Sequence, residues 1–462
     1  MAALEATVVS TAMPTVVGDL GGIHRYSWVF TAYMVASTVT VPIFGKLADL
    51  YGRKPIFLGG SALFLVGSMA SGAAGTMTQL IVFRVVQGLG AGAMQPMALT
   101  VIGDLYTIQE RAKIQAFFGA VWGIAGLVGP LAGGLIVRLL SWRWVFYINL
   151  PFGLLSMALI VTSLHERVTR KDQKIDWLGA GVLTALVLAL LAAAHGRAVG
   201  WVALVATVPL AVALVAVERR AADPILPVPL FRRRVIWVSA VASAASGGAM
   251  FCAVTYVPLL VQAVMRGTPT EAGGAIAPMV VGWPVASFFA SRFLTRIGFR
   301  PLLWTGLAVS AIAMGALAVV VSEGPSLWPL RVASAFFGVG MGLSVTSLVI
   351  AVQTSVEWQE RGVATASTLF ARTMGGTLAV GALGGLLTRA LLRDPSIPEH
   401  AADELLGPRH GLGMDPDVIA KLAGALSGGL ETVFWVTFGL AALALVVGAL
   451  FPHVSTKLEP SR

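Results

Sequence analysis

The sequence predicts an all-α integral membrane protein of fourteen spans, two related six-helix bundles with two extra helices between them. Three observations predict it: an unusually apolar composition, a train of apolar runs of membrane-spanning length, and motifs that occur twice. Of the 462 residues, 57% are hydrophobic and 12% charged, against about a quarter charged in a soluble domain. The apolar runs recur from one end to the other, each closed by charges, glycine or proline. A helix of about 20 residues crosses a hydrocarbon core of about 30 Å. No water reaches that core, so each run must be helical to satisfy its own backbone.

In chain order the spans are predicted at 1–20, 27–50, 55–74, 78–103, 112–137, 143–164, 176–195, 199–218, 235–262, 271–294, 301–321, 327–352, 362–388 and 429–451. The first run lacks a basic n-region and reads as a span rather than a cleavable signal peptide. Orientation follows from Lys and Arg in the connections. If the connection between the second and third spans is cytoplasmic, that side collects Lys46, Arg53, Lys54, Arg111, Lys113, Arg167, Arg170, Lys171, Lys174, Arg219, Arg220 and others. Both termini then lie in the cytoplasm of a cell whose plasma membrane, read as bacterial, holds the chain. The net charge of +10 is accordingly topological and implies no nucleic acid. The single cysteine, Cys252, rules out an internal disulfide. No Walker sequence, paired CxxC or HExxH occurs, so neither an ATP-driven pump nor a zinc enzyme is indicated, and no cofactor, metal or catalytic residue is expected.

The chain also resembles itself. Arg84-Val-Val opens the fourth span, which runs to Gln109-Glu110-Arg111; Arg331-Val-Ala opens the twelfth, which runs to Gln359-Glu360-Arg361. Gly129-Pro130-Leu-Ala-Gly133-Gly134 is matched by Gly381-Ala-Leu-Gly384-Gly385, and Gly52-Arg-Lys-Pro55 by Gly298-Phe-Arg-Pro301. Residues 1–164 thus form an N-terminal six-helix bundle and 235–462 a C-terminal one. Residues 165–234 carry two linker spans with charged flanks, and an extracytoplasmic loop of unusual length occupies about 389–428. In that loop Ser396-Ile-Pro398-Glu399 reads as a helix start, and Asp415-Pro416 starts another helix with room to continue into span fourteen. The loop is either a solvated spacer or an outward docking surface or exit path.

Several motifs resemble a known family. Gly45-Lys-Leu-Ala-Asp49-Leu-Tyr-Gly52-Arg53-Lys54 resembles the signature loop between the second and third helices of the major facilitator superfamily. Arg84-Val-Val-Gln87-Gly88-Leu-Gly90 resembles its fourth-helix motif, and the stretch from Gly123 to Gly134 its fifth-helix antiporter motif. Trp142-Arg-Trp-Val-Phe-Tyr-Ile-Asn149-Leu-Pro151 and Tyr256-Val-Pro258-Leu-Leu-Val-Gln262 are similar to the fourteen-helix drug:proton antiporter branch. The resemblance implies the major facilitator fold, whose parallel repeat places a site between the bundles near the midplane.

Glu5 is the carboxylate placed inside a span rather than at its end, and an ionisable residue inside the membrane marks function by default. It lies in a segment similar to a first-helix motif that usually carries aspartate, which makes it the expected proton-coupling acid; the plainer reading places Glu5 near the surface. The resemblance implies that Arg84 influences its protonation; the plainer reading of Arg84 is a snorkelling arginine at a span end. Asp49, Gly52 and Arg53 sit between two helix ends, where the family locks its inward gate; positive-inside decoration is the alternative. Thr295 stands where a second Asp49 would align. The glycines from Gly123 to Gly134 pack a helix closely on a neighbour. Among them Gly129 and Pro130 permit the bend that family antiporters use to seal the pore. Gln87, Gln262 and Arg372 are the substrate-binding candidates. An unpaired Arg372 would be costly in the membrane, so it should meet Glu5, a carbonyl or an anionic substrate group, or else tie helices together. His195 reads as interfacial.

These features predict a monomeric, proton-coupled exporter of lipophilic drugs, cationic or amphipathic, whose partners are the substrate, protons and the bilayer. The alternatives are a dedicated exporter of one native metabolite or antibiotic and a lipid translocator.

Overall fold

A computed structural model describes residues 2–105, 121, 125, 128–129, 131–164, 176–193, 198–221, 228–356, 361–391 and 415–453. These residues are helical apart from short turns, with no strand among them. The helices are α1 (Ala2–Leu20), α2 (Tyr26–Tyr51), α3 (Arg53–Gly72) and α4 (Met77–Leu105). Helical residues 131–139 form α5, followed by α6 (Trp144–Tyr147), α7 (Asn149–Ser163), α8 (Trp177–Ala193) and α9 (Ala198–Arg220). The remainder are α10 (Arg234–Leu259), α11 (Pro269–Ile297), α12 (Phe299–Glu323), α13 (Leu327–Thr354), α14 (Arg361–Leu391) and α15 (Pro416–Ala449). Every predicted span falls on one of these helices, the sixth on α6 and α7 together, and only the end of the fifth is described.

Among the described residues, eight helices are long and apolar enough to cross a membrane, and Val8–Leu20 and Trp177–Leu190 are shorter apolar helices. Large apolar side chains such as Leu155, Val205, Ile312 and Val446 point outward, a surface that suits lipid and would drive association in water. Inside the bundle, small residues set the helix spacing. A β-carbon at Gly338 would strike the Met279 carbonyl of α11, and one at Gly375 the Ala244 carbonyl of α10. Such contacts let backbones approach where no hydrophobic force drives them together. Accordingly α11 packs on α13, α10 on α14, and α3 on α4.

The sequence repeat recurs in the backbone. Gly52 ends α2 and begins α3 with φ 95° and ψ 156°; Gly298 ends α11 and begins α12 with φ 91° and ψ 168°. Only glycine adopts that conformation without strain, so both halves turn the same corner with the same residue. Between the halves, α8 packs on α9 and touches α2 and α14. Leu183, Val187 and Leu214 join Val35, Val39 and Met374 in one apolar cluster. The two extra helices therefore cover the seam where α2 crosses α14.

Asp415-Pro416 starts a helix that continues into the fourteenth span, as the sequence suggests. α14 continues to Leu391, and the last helix starts at Pro416 rather than at 429. Asp415 caps it by accepting from the Asp417 amide at 3.0 Å, with Pro416 in the first turn. Hydropathy marks where a helix leaves the membrane, not where its hydrogen bonding stops, and α15 runs on past that point. Ser396 to Glu399, His195, Gly123 and Pro130 lie outside the described residues.

Candidate transport site

Glu5 is 2% exposed, enclosed by the first bundle. Arg84 Nη1 donates to its Oε1 in an ion pair that is buried on both sides. Asn149 Nδ2 donates to Oε2 at 2.7 Å and to Ser68 Oγ at 3.1 Å. Ser68 in turn donates to the Phe146 carbonyl at 2.8 Å. Arg84 is further held by the Gln87 Oε1 at 2.7 Å and the Val29 carbonyl at 3.3 Å. The Tyr33 ring lies 4.1 Å from its guanidinium carbon. Buried charges persist only when paired and hydrogen-bonded, and both oxygens of this carboxylate have a donor. Arg84 is thus not a snorkelling residue. Gln87, expected as a substrate contact, is buried and holds the arginine instead.

A second set of contacts closes one end of the molecule, the end that carries the α1–α2 turn. Gln262 Nε2 donates to the Thr11 carbonyl at 2.9 Å, and Thr15 Oγ1 donates to Gln262 Oε1 at 3.2 Å. Both partners lie on α1. Gln262 lies in the π-helical turn, Leu260–Val264, that follows α10, and such turns recur at functional sites. Tyr26 Oη donates to the Thr255 carbonyl at 2.7 Å, and Tyr256 Oη to the Val380 carbonyl at 2.7 Å. Gly384 admits Ser27, whose side chain fills the space a β-carbon would need. Gly133 and Gly134 seat α5 against Thr11 of α1 and Thr270 of α11. Among the described residues, contacts between the first and last bundles run from this end to the Met34–Gly376 and Val39–Met374 crossings.

The sequence model of the Major Facilitator Superfamily matches residues 1–380. The chain belongs to that superfamily. It is a multi-pass membrane transporter, not an enzyme. It is 38% identical over 410 residues to the multidrug transporter protein MdtP of Bacillus subtilis, covering 86% of this chain and 75% of that one. It is 36% identical to multidrug resistance protein 3 of the same organism, covering 84% and 77%. To the efflux pump FUS6 of Gibberella fujikuroi it is 29% identical over 97% of this chain and 86% of that one. Among solved structures, a bacterial homologue of the human lysosomal transporter Spinster, inward-facing and unoccupied, superposes with TM-score 0.68 at 15% identity, covering 99% of this chain and 97% of that one. The D-xylose–proton symporter superposes with TM-score 0.63 at 14% identity, covering 97% and 95%. At those identities the likeness concerns the fold.

Within this major facilitator protein the remaining residues fall as follows. Gly52 and Arg53 form the α2–α3 corner; Asp49 lies in the last turn of α2, and its side chain is outside the described residues. Lys54 Nζ donates to the Val161 and Leu164 carbonyls at 2.8 and 3.0 Å, capping α7. Gly129 is buried. Among the described residues Arg372 meets neither Glu5 nor a carbonyl; its guanidinium carbon lies 5.5 Å from the Trp283 ring centre. The sequence reading missed Asn149, Ser68, Thr11, Thr15 and Tyr26 as parts of these clusters. Only the Asn149 motif offered a signal, a polar amide early in an otherwise apolar span.

Proposed function

We propose that this transporter is a proton-coupled exporter of lipophilic, amphipathic compounds, of the fourteen-helix drug:proton antiporter branch. Residues 1–164 and 235–462 are its bundles, and the two helices of 165–234 are linker spans. It works as a monomer in the bacterial plasma membrane with both termini cytoplasmic. The observation that carries the reading is the buried Glu5–Arg84 pair with Asn149 on its second oxygen. The names of its multidrug and efflux relatives support the export of drugs. A carboxylate so placed binds one proton at the cost of one ion pair, and Arg84 keeps Gln87 and Val29 as partners when that happens. Proton uptake therefore changes the charge of the first bundle by one unit without leaving the guanidinium unsolvated. With the basic connections in the cytoplasm, the closed end is extracytoplasmic and the state seen is the loading state. Asp49, Gly52 and Arg53 act in closing the opposite end, and Gly129 and Pro130 in bending α5 as the carrier reorients. The sequence reading includes cations as cargo; the charge of the second bundle favours another class, argued below.

Uphill export by proteoliposomes tests the coupling. Glu5→Gln keeps size and hydrogen bonding but fixes the neutral state, so proton-driven export and substrate-driven proton flux disappear while downhill exchange survives. Glu5→Asp retains export. Full proton-coupled export by the Gln variant sinks the assignment.

A further inference from the structure

The two bundles differ in charge. In the first, Arg84 is matched by Glu5. In the second, Arg372 has no carboxylate and no hydrogen-bond acceptor among the described residues, and only the Trp283 ring near its guanidinium. It lies eleven residues along α14 from Arg361 and within the candidate membrane span of that helix, Ser367–Leu391. An unpaired arginine there is expensive, and such residues face the bundle interior or a water-filled cavity.

The neighbours of Arg372 place it at the parting of the bundles. Gly247 of α10 lies directly against its backbone carbonyl and its Cγ, so the aliphatic stem rests on α10. One turn further along the same face of α14 is Gly376, where a β-carbon would meet Phe251 of α10 and, at 3.1 Å, the Met34 methyl of α2. Gly376 is thus at the crossing with the first bundle, and Arg372 one turn beyond it toward the start of α14. Its side chain is only partly buried. It offers a planar fork of donors beside an aromatic face, the geometry suited to a carboxylate on an aromatic skeleton.

Resting on the exporter reading above, we propose that Arg372 and Trp283 form the polar anchor of the cargo site, and that this anchor selects lipophilic compounds bearing an acidic group. The acid supplies the anion that the second bundle lacks, and the apolar body lies against Trp283 and Phe251. The cargo class is then set by a fixed positive charge, opposite to a site built for cations.

The test is direct binding of two dyes that differ in one group: rhodamine B, with a free carboxylate, and its ethyl ester, without one. Purified full-length protein in phosphatidylcholine nanodiscs is expected to bind rhodamine B about tenfold more tightly than the ester, the scale of one charge-assisted contact. Arg372→Gln removes that preference, weakening rhodamine B and, by relieving charge repulsion, tightening the cationic ester; Arg372→Lys keeps part of it. Retained binding of the ester also shows that the Gln variant is folded. Equal or tighter binding of the ester by the unmodified protein, no effect of Arg372→Gln on rhodamine B, or binding of neither dye overturns the proposal. Replacing the lipid with phosphatidylglycerol separates the sources of the anion. Suppression of rhodamine B binding only where Arg372 is present assigns the site to a lipid phosphate and overturns the cargo assignment. The exporter reading stands or falls separately, on gradient-driven export by Glu5 variants.

Discussion

Asn149 delivers its amide to Glu5 across 144 residues of sequence, and that contact sets the first prediction. Removing it with Asn149→Leu leaves Glu5 Oε2 buried without a donor, a loss of about 1–3 kcal/mol. The thermal unfolding of the purified variant should fall accordingly. In a Glu5→Gln background the same substitution should cost measurably less, because the group left unsatisfied is no longer a carboxylate; a coupling of at least about 0.5 kcal/mol is expected for residues in contact. Strict additivity of the two changes would mean that the contact carries no energy. The acid itself was legible in the sequence, since a carboxylate inside an apolar run has few ordinary explanations. Its partners were legible only in part. Arg84 stood near a helix end, where position alone does not separate a snorkelling residue from a buried one. Gln262 and Gln87 looked like cargo contacts because glutamine in a span has donors and acceptors to offer. Which group takes them up depends on helix neighbours hundreds of residues away, and periodicity does not carry that information.

Helices and their corners were the most legible level, because length, hydropathy and glycine placement are local. For α15 the cap in Asp415-Pro416 marked the start of the helix, while hydropathy marked only its membrane limit. Two elements carry predictions of their own. Lys54 holds the last carbonyls of α7 and so ties it to the start of α3. A cation at a helix C-terminus is favourable for the same reason that anions suit N-termini. Lys54→Met should therefore lower stability by about 1 kcal/mol, read by thermal unfolding, while binding of cargo is unchanged; a melting temperature equal to that of the parent would show the cap to be idle. Gly384 lets α14 close on α2 at Ser27, with the Tyr256 hydroxyl 3.1 Å from where a β-carbon would stand. Gly384→Leu should hold these helices apart. A cysteine placed at Thr388 would then label faster with a membrane-impermeant reagent added outside the cell, and unaltered labelling would show that the helices close elsewhere.

The whole molecule is asymmetric in how it is held together. The bundles repeat one another down to the φ of Gly52 and Gly298, and their described contacts include the bonds at one end and the α2–α14 crossing, which α8 covers from outside. Transport through such a body requires the closed end to separate, and Gln262 with Thr11 and Thr15 is among the bonds that must break. These bonds are few and neutral, each worth about 0.5–1.5 kcal/mol net, so a modest gain in binding energy or one proton suffices to shift the balance. Locking them should then stop the cycle without touching the cargo site. With the native thiol removed as Cys252→Ser, cysteines at Thr15 and Gln262 joined by a short reducible thiol linker should abolish export. Cargo binding from the open side should persist, and reduction should restore export. Each single cysteine treated in the same way should remain active, which separates a lock from damage by the reagent. Continued export by the fully linked protein would mean that this end does not open during transport, and that cargo leaves by a route other than the seam between α1 and α10.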